Sequence, residues 1–126
     1  HYDAMLHLAA QASGELSHEV PSRDLEVSAL GTLHLLGWCQ SNGIYRFMNA
    51  SSMAVYGLVD RVPVHESDAK DPYSFYGIAK QAAEQYVRHY ARSGMQTTIF
   101  RMFSVYGPGQ DLSNMRRRHL IRLDFY

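Results

Sequence analysis

Apolar residues in the first part of the chain follow two kinds of pattern. Residues 4–10 form a nearly uninterrupted apolar run that ends in two alanines, which is typical of a strand buried on both faces of a sheet. Residues 22–42 carry leucine and valine at helical intervals, and Gly43 stands where such a helix would stop. The sequence therefore predicts a strand followed by a long helix.

The rest of the chain repeats this order. Residues 45–51 are rich in aromatic side chains and residues 97–105 in β-branched and aromatic ones, so both segments are predicted to be strands. Between them, a loop with two prolines precedes a helical pattern that starts at Ser74 and ends at Gly94. Alternation of strands and helices predicts an α/β fold with a parallel sheet and right-handed crossovers.

The helix after Ser74 is predicted to be amphipathic. Its apolar face is expected to carry Ala79, Ala82, Ala83, Tyr86 and Tyr90. The opposite, polar face is expected to carry Gln81, Glu84, Arg88 and Arg92. Glu84 and Arg88 stand one turn apart in the order that favours an ion pair.

The carboxyl ends of the three predicted strands are where we expect a ligand. Parallel α/β sheets bind their ligands at this edge, because the connecting loops open a crevice there. Here the strand ends are residues 9–11, 51–52 and 103–104. All three are expected to face one crevice.

Composition narrows the classes of function. With 126 residues, of which 46% are apolar and 19% charged, the chain suits one globular domain. Twelve basic residues balance 12 acidic ones, so the surplus of positive charge that nucleic-acid or membrane-surface binding usually needs is absent. The apolar runs fall short of the roughly 18 residues of a membrane span. The single cysteine, Cys39, favours a reducing compartment, and we expect a cytoplasmic protein.

Tyr76 and Lys80 are the candidate catalytic pair. On a helix they lie on one face, a single turn apart. A nearby ammonium stabilises a phenolate, and lowering the pKa of tyrosine from about 10 by about 3 units takes roughly 4 kcal/mol. Tyr76 would then accept a proton from a substrate hydroxyl while hydride leaves to a nicotinamide, and Ser52 would hydrogen-bond to the same oxygen. This set of groups indicates interconversion of an alcohol and a carbonyl.

Simpler interpretations stay open for these residues. A tyrosine and a lysine one turn apart are common by chance, and serines after a strand are most often turn residues that satisfy the local backbone. Tyr56 is most simply a packing aromatic, and His7 a buried, hydrogen-bonded histidine. The other histidines show no ligand spacing with one another or with Cys39, so no metal site is predicted. The joint occurrence of Ser52, Tyr76 and Lys80 favours the catalytic interpretation.

Six blocks between Asp3 and Met115 resemble the NAD-dependent epimerase/dehydratase family, a branch of the extended short-chain dehydrogenase/reductase superfamily that acts on nucleotide sugars. The blocks follow the family's order and spacing. They are His7-Leu8-Ala9-Ala10-Gln11, Gly31-Thr32-Leu33, Ser51-Ser52, Val55-Tyr56-Gly57, Tyr76-Gly77-Ile78-Ala79-Lys80 and Arg101-Met102-Phe103-Ser104-Val105-Tyr106-Gly107-Pro108-Gly109-Gln110.

The resemblance implies a Rossmann-like, doubly wound parallel sheet, NAD as cofactor, a nucleotide sugar as substrate and a homodimer formed through helices that flank the sheet. It implies that Tyr76 is the catalytic base, that Lys80 holds this base and the nicotinamide ribose, and that Ser52 polarises the substrate. The implied cofactor contacts are Leu8, Ala9, Ala10, Tyr76, Lys80 and Phe103. The implied substrate contacts are Ser52, Met53 and Ser104.

Departures from the family pattern narrow the implied reaction. Ser52-Met53-Ala54 stands where 4,6-dehydratases place Thr-Asp-Glu, so the acids that eliminate water are missing. The glutamate that UDP-glucuronate decarboxylases carry after the serine or threonine is missing too. Epimerisation through a transient 4-keto sugar remains, as in UDP-sugar 4-epimerases, and so does simple reduction by an NAD(P)-dependent reductase. Ser28, Ala79 and Ser104 also replace common family residues, which leaves substrate details open.

The family's Gly-x-x-Gly-x-x-Gly turn, which seats the pyrophosphate at a helix N-terminus, has no counterpart here. The chain also begins without methionine. We therefore expect residues 1–115 to be the second half of an NAD-binding Rossmann domain in a longer protein, and residues 116–126 to be a basic stub. For Arg116–Arg118, a solvated tail and a phosphate-binding patch are the two interpretations. A truncated, inactive relative with a structural or regulatory role is the alternative to an active enzyme.

Overall fold

The structure, a computed structural model, describes residues 2–11, 14–103 and 107–108. Along the chain its elements are β1 (Met5–His7), α1 (Gly14–Glu19), α2 (Pro21–Asp24), a π-helical segment (Leu25–Leu30), α3 (Gly31–Ser41), β2 (Arg46–Ser52), a 3₁₀ turn (Met53–Tyr56), α4 (Phe75–Arg92) and β3 (Gln96–Met102). Ser104, the end of the strand predicted for residues 97–105 and the basic block Arg116–Arg118 lie outside the described residues. No helix within the described ranges is long and apolar enough to cross a membrane.

The three strands form one parallel sheet in the order β1-β2-β3. Helical crossovers join β1 to β2 and β2 to β3, so the predicted α/β, Rossmann-like alternation of strands and helices is confirmed. The register pairs Met5 with Phe47 and Ser52 with Met102. The carboxyl ends of the strands therefore meet at one edge, as parallel pairing requires.

The first crossover is more segmented than the single helix predicted for residues 22–42. It contains α2, the π-helical segment and α3 in direct succession, with Pro21 in the first turn, where its missing N–H costs nothing. In a π-helix the backbone hydrogen bonds join residues i and i+5, which makes each turn wider than in an α-helix. Gly43, at a φ of 72°, ends the helical stretch as predicted. The short helix α1 was not predicted.

The second crossover, α4, begins and ends where the sequence pattern indicated. The Ser74 hydroxyl accepts a hydrogen bond from the backbone N–H of Gly77 at 3.0 Å and so caps the helix. Ala79 and Ala83 are buried, as predicted for the apolar face. Glu84, predicted on the polar face, is instead 1% exposed, so this assignment was wrong.

The hydrophobic core lies between the helices and one face of the sheet. Its buried members are Leu36, Cys39, Ile44, Phe47, Val87 and Met95. Odd-numbered residues of β2 and β3 share this face, because Phe47 pairs with Thr97 and Ser51 pairs with Arg101. The helices thus approach the sheet over a face that is apolar at the amino end of the strands and polar at the carboxyl end.

The prediction that residues 4–10 are buried on both faces was wrong. His7 is buried, but Leu6 and Leu8 are 52% and 59% exposed. Phe100 and Met102, on the same face of the sheet as Leu6, are also about half exposed, at 45% and 49%. Burial on both faces needs helices on both, and the helices in the described residues pack against the face of His7 and Phe47.

Candidate active site

Tyr76 and Lys80 lie one turn apart on α4, beside the carboxyl end of β2. Lys80 is 5% exposed, and its ammonium donates a hydrogen bond to the carbonyl oxygen of Ala50 at 2.7 Å. The ammonium nitrogen lies 5.8 Å from the centroid of the Tyr76 ring. This arrangement places a fixed positive charge next to a half-buried phenol.

Burial governs the ionisation of Lys80. Removal of the ammonium from water lowers the pKa of Lys80, and the charge of Asp24 partly opposes this effect by raising it. An ammonium has three N–H donors, and in the described part of the chain Ala50 O is the acceptor for one of them. The other two donors have no acceptor among the described residues.

Ser52 is the last residue of β2 and points its hydroxyl into the following turn. Its side-chain oxygen accepts a hydrogen bond from the backbone N–H of Ala54 at 3.2 Å, which caps the 3₁₀ turn. Ser52 therefore has the local backbone role that the simpler interpretation anticipated. Because a hydroxyl can accept and donate at once, its proton is still available to a substrate oxygen.

Gly77 brings the Ser52 turn and the start of α4 into contact. A Cβ added at Gly77 would lie 2.6 Å from the carbonyl oxygen of Ala54 and 2.9 Å from the Cβ of Pro72. No other residue type fits this approach without shifting the backbone. On the other side, the Tyr76 N–H donates to the hydroxyl of buried Ser17 at 3.0 Å. The first turn of α4, which carries Tyr76, is thus held between α1 and the 3₁₀ turn.

The other predicted contacts lie near the same edge of the sheet and are mostly accessible. Leu8 and Ala9 are exposed and Ala10 is half-buried, immediately after β1. Phe103 follows β3, is 50% exposed and lies 6.5 Å, between ring centroids, from Tyr56. Met53, in the 3₁₀ turn, is 40% exposed. Within residues 2–11, 14–103 and 107–108, no three His, Cys, Asp or Glu side chains are grouped to hold a metal ion.

A buried ionic network behind the site was not anticipated from the sequence. Glu84 accepts hydrogen bonds from Arg101 at 2.9 and 2.8 Å and from the Ser51 hydroxyl at 2.6 Å. Arg101 also donates to the Tyr56 hydroxyl at 2.7 Å and to the Glu66 carbonyl at 3.0 Å. The network therefore ties α4, β2, β3 and the loop after the 3₁₀ turn together. Tyr56, expected to be a packing aromatic, is buried, and its hydroxyl also accepts the hydrogen bond from Arg101.

The sequence did contain a signal for this network. Ser51 and Arg101 are polar residues in otherwise apolar strands, and they are register partners on the face that meets α4. Burial raises the pKa of Glu84, but the hydrogen bonds from Arg101 and Ser51 and the nearby guanidinium charges outweigh it, so the pKa lies below its usual value. Glu84 is therefore charged at neutral pH.

His7 is the buried, hydrogen-bonded histidine that the sequence indicated. Its Nε2 lies 3.0 Å from the hydroxyl oxygen of Thr32, which itself donates to the carbonyl of Ser28. Burial lowers the pKa of His7, and the charge of Lys80 lowers it further. A neutral His7 therefore adds no positive charge next to Lys80 at neutral pH.

Comparison with known proteins places this geometry in a family. A family model described as the NAD dependent epimerase/dehydratase family matches residues 1–123. A putative UDP-glucose 4-epimerase of Methanocaldococcus jannaschii is 36% identical over 111 residues, which cover 86% of this chain and 36% of the relative. A GDP-6-deoxy-D-mannose reductase of Pseudomonas aeruginosa is 35% identical over 112 residues, which cover 86% of this chain and 37% of that protein.

A solved structure has the same fold. The UDP-glucose 4-epimerase of Thermotoga maritima, determined with UDP-glucose, superposes with a TM-score of 0.81 at 38% identity, over 86% of this chain and 36% of that one. The chain thus spans about a third of the length of the curated relatives it matches, with 36% and 37% of the two relatives covered.

Proposed function

Because the chain belongs to the NAD-dependent epimerase/dehydratase family, whose cofactor is NAD, we propose that it supplies the catalytic residues of a UDP-sugar 4-epimerase. The observation that carries this proposal is the Lys80 ammonium, buried and held 5.8 Å from the Tyr76 ring at the carboxyl edge of the sheet. A phenol beside a fixed cation in a site with little water is suited to act as a base at neutral pH.

In the proposed mechanism, Lys80 stabilises the phenolate of Tyr76, and Tyr76 takes the proton from the C4 hydroxyl of the sugar. The Ser52 hydroxyl donates to the same oxygen and orients it. Bound NAD would accept the hydride from C4 and, as reduced cofactor, would return it to the opposite face of the resulting 4-keto sugar. Tyr76 returns the proton to the oxygen. No reductant is consumed in the overall reaction.

The residues present fit the cofactor. The two donors of Lys80 not used by Ala50 are available to ribose hydroxyls, and Tyr76 lies one turn away. After β1, exposed Leu8 and Ala9 and half-buried Ala10 offer a mostly small, apolar surface on which a flat cofactor can lie. Phe103, beyond β3, is the proposed contact from the other side.

The side chains after β2 support epimerisation in preference to elimination of water. Met53 and Ala54 are apolar where elimination needs an acid and a base, and Met53 is accessible at 40% exposure. We assign Ser52 and Met53, with Ser104, to the substrate side of the site. We propose UDP-sugars as the substrate class, because the similar proteins from M. jannaschii and T. maritima are a putative UDP-glucose 4-epimerase and a UDP-glucose 4-epimerase.

A nucleotide-sugar reductase is the second candidate. It is favoured by the 35% identity to the P. aeruginosa reductase, which is almost as high as the identity to the M. jannaschii relative. The same Ser52, Tyr76 and Lys80 serve both reactions, because each transfers a hydride and a proton between a cofactor and a C–O group. The two differ in whether the hydride returns to the same molecule.

The fate of a deuterium label distinguishes these candidates. The assay uses a chimera in which this chain replaces the matching segment of the M. jannaschii relative, with the parent as control. UDP-glucose deuterated at C4 is expected to give its C4 epimer with the label retained and no net change in NAD. Stoichiometric oxidation of reduced cofactor with a 4-keto sugar would support the reductase instead. An inactive chimera beside an active parent would contradict both and favour the catalytically inactive relative.

We further propose that the protein is a cytoplasmic homodimer formed through α3 and α4. A groove between these helices is lined by Leu33, Gln40, Gln85, Tyr86 and His89. Exposed Trp38 and Tyr86, at 46% and 38%, are large side chains that a second copy would cover.

Light scattering of the wild-type chain is expected to give twice the monomer mass. Tyr86→Glu is expected to lower the measured mass. Tyr73→Glu changes a residue outside both helices and serves as the control. A monomer at all concentrations, or recovery outside the cytoplasm, would contradict the proposal.

A further inference from the structure

Asp24 is a buried carboxylate without a visible partner. It is the last residue of α2, where the helix continues into the π-helical segment, and it is fully buried at 0% exposure. Neither of its carboxylate oxygens has a hydrogen-bond partner in the described part of the chain. A buried charge is costly unless another charge or a hydrogen bond compensates it, so Asp24 requires an explanation.

Lys80 is the buried cation whose pKa the charge of Asp24 raises. α2, which ends in Asp24, and the π-helical segment that follows it both pack against α4, which carries Lys80, and both side chains are buried. The two groups form no direct ion pair in the described residues, and the Ser28 hydroxyl, one turn after Asp24, is also buried without a partner. The two charges therefore attract each other over a distance longer than that of an ion pair, and the protein interior screens this attraction less than water does.

The other titratable groups around Lys80 do not provide a counter-charge. His7, from β1, is neutral at neutral pH because burial and Lys80 itself lower its pKa. Tyr76, from α4, is the group on which Lys80 acts. Glu84, one turn further along α4, is engaged by Arg101 and Ser51. Asp24, in contrast to these three groups, raises the pKa of Lys80 against the effect of burial.

We propose that Asp24 is a positioning residue of the site, and that its buried carboxylate is the counter-charge that keeps Lys80 protonated beside Tyr76. Its importance for the reaction rests on the proposed function, in which a charged Lys80 stabilises the Tyr76 phenolate. Without Asp24, a lysine that is 5% exposed keeps one backbone carbonyl as its partner, and burial then favours the neutral amine. The attraction of Lys80 in turn offsets part of the cost of burying a carboxylate without hydrogen bonds.

The titration of each lysine can be measured separately in this chain, because its two lysines are Lys70 and Lys80. Chains carrying ¹³Cε-lysine are titrated by NMR without substrate or cofactor, so failure of the proposed epimerase activity cannot affect the result. Asp24→Asn preserves the shape of the side chain and removes its charge. In this variant, the midpoint of the Lys80 titration is expected to move to lower pH. Asp24→Glu, which keeps the charge, is expected to restore part of the shift.

Lys70 is the internal control. Its pKa is lowered by burial and by Arg101 and Arg88, and Asp24 is not among the groups that shift it, so its midpoint is expected to stay constant. A general loss of structure would move both lysines, whereas the proposed role moves Lys80 alone. If Asp24→Asn does not fold, Asp24→Ser removes the same charge and leaves room for water.

Two outcomes overturn the proposal. One is a Lys80 midpoint that is the same in the wild-type chain and in a folded, charge-free variant. The other needs no variant: a wild-type Lys80 that is already neutral at pH 7 has no counter-charge keeping it protonated.

Discussion

Replacing Tyr76 with phenylalanine is expected to lower kcat of the chimeric enzyme by about 100- to 10,000-fold, the usual contribution of a positioned general acid or base. Phenylalanine keeps the ring near Lys80 but removes the oxygen that accepts and returns the proton. The backbone contact to Ser17 is unaffected, since it uses the Tyr76 N–H. Loss of activity without loss of fold is therefore the expected signature.

Steady-state turnover of UDP-glucose by the chimera measures this effect, and thermal unfolding checks that the variant folds. Tyr45→Phe is the matched control, because Tyr45 is 56% exposed and lies just before the amino end of β2, away from the site. It is expected to retain full activity. A Tyr76→Phe enzyme with a kcat similar to that of Tyr45→Phe would remove Tyr76 from the mechanism.

Replacing Arg101 with methionine is expected to lower the free energy of unfolding by about 3–5 kcal/mol, the usual loss when one partner of a buried ion pair is removed. Glu84 is 1% exposed in the wild type, and its remaining partners among the described residues would be the Ser51 hydroxyl and the more distant Arg88. The Tyr56 hydroxyl would lose its hydrogen bond as well. Urea denaturation at neutral pH measures this loss.

Arg88→Met is the control for that experiment. Arg88 contacts the same carboxylate at 3.6 Å, but its side chain is 45% exposed. Solvent weakens such pairs, so the expected loss is about 0–1 kcal/mol. Equal losses in the two variants would show that burial of the Arg101 pair contributes nothing beyond a surface pair.

The pH dependence of this loss follows from the lowered pKa of Glu84. Burial raises that pKa, and the hydrogen bonds and charges of Arg101, Ser51 and Arg88 more than compensate. A carboxyl group whose pKa is lower in the folded than in the unfolded chain stabilises the fold above its unfolded value, here 4.5. The stabilisation is lost as the pH falls below that value, so the difference between wild type and Arg101→Met should shrink in acid.

Much of the fold, and the placement of Tyr76 and Lys80 at the centre of the candidate site, could be predicted from local sequence. Apolar runs, helical periodicity and stop residues such as Gly43 act over a few positions, so they indicated the strands, both crossovers and their parallel order. Helical spacing likewise placed Tyr76 and Lys80 on one face of α4. The family and its cofactor followed from blocks that carry this geometry, and the family match supports both.

Other features depend on which distant elements pack together, and here the sequence misled or was silent. Glu84 has a polar side chain in a polar helical position, and only the approach of Ser51 and Arg101 from two strands makes its burial favourable. The apolar run predicted that Leu6 and Leu8 are buried, but their burial depends on which face of the sheet the helices cover.

The sequence by itself determined the order of elements, the parallel sheet and the pairing of a tyrosine with a lysine. The tertiary structure decided what surrounds that lysine: Ala50 as its acceptor, a neutral His7 and the buried charge of Asp24. The physical reason is that the burial of a side chain and the stabilisation of its charge depend on neighbours that are far apart in the chain. A local sequence pattern does not show which distant residues become neighbours.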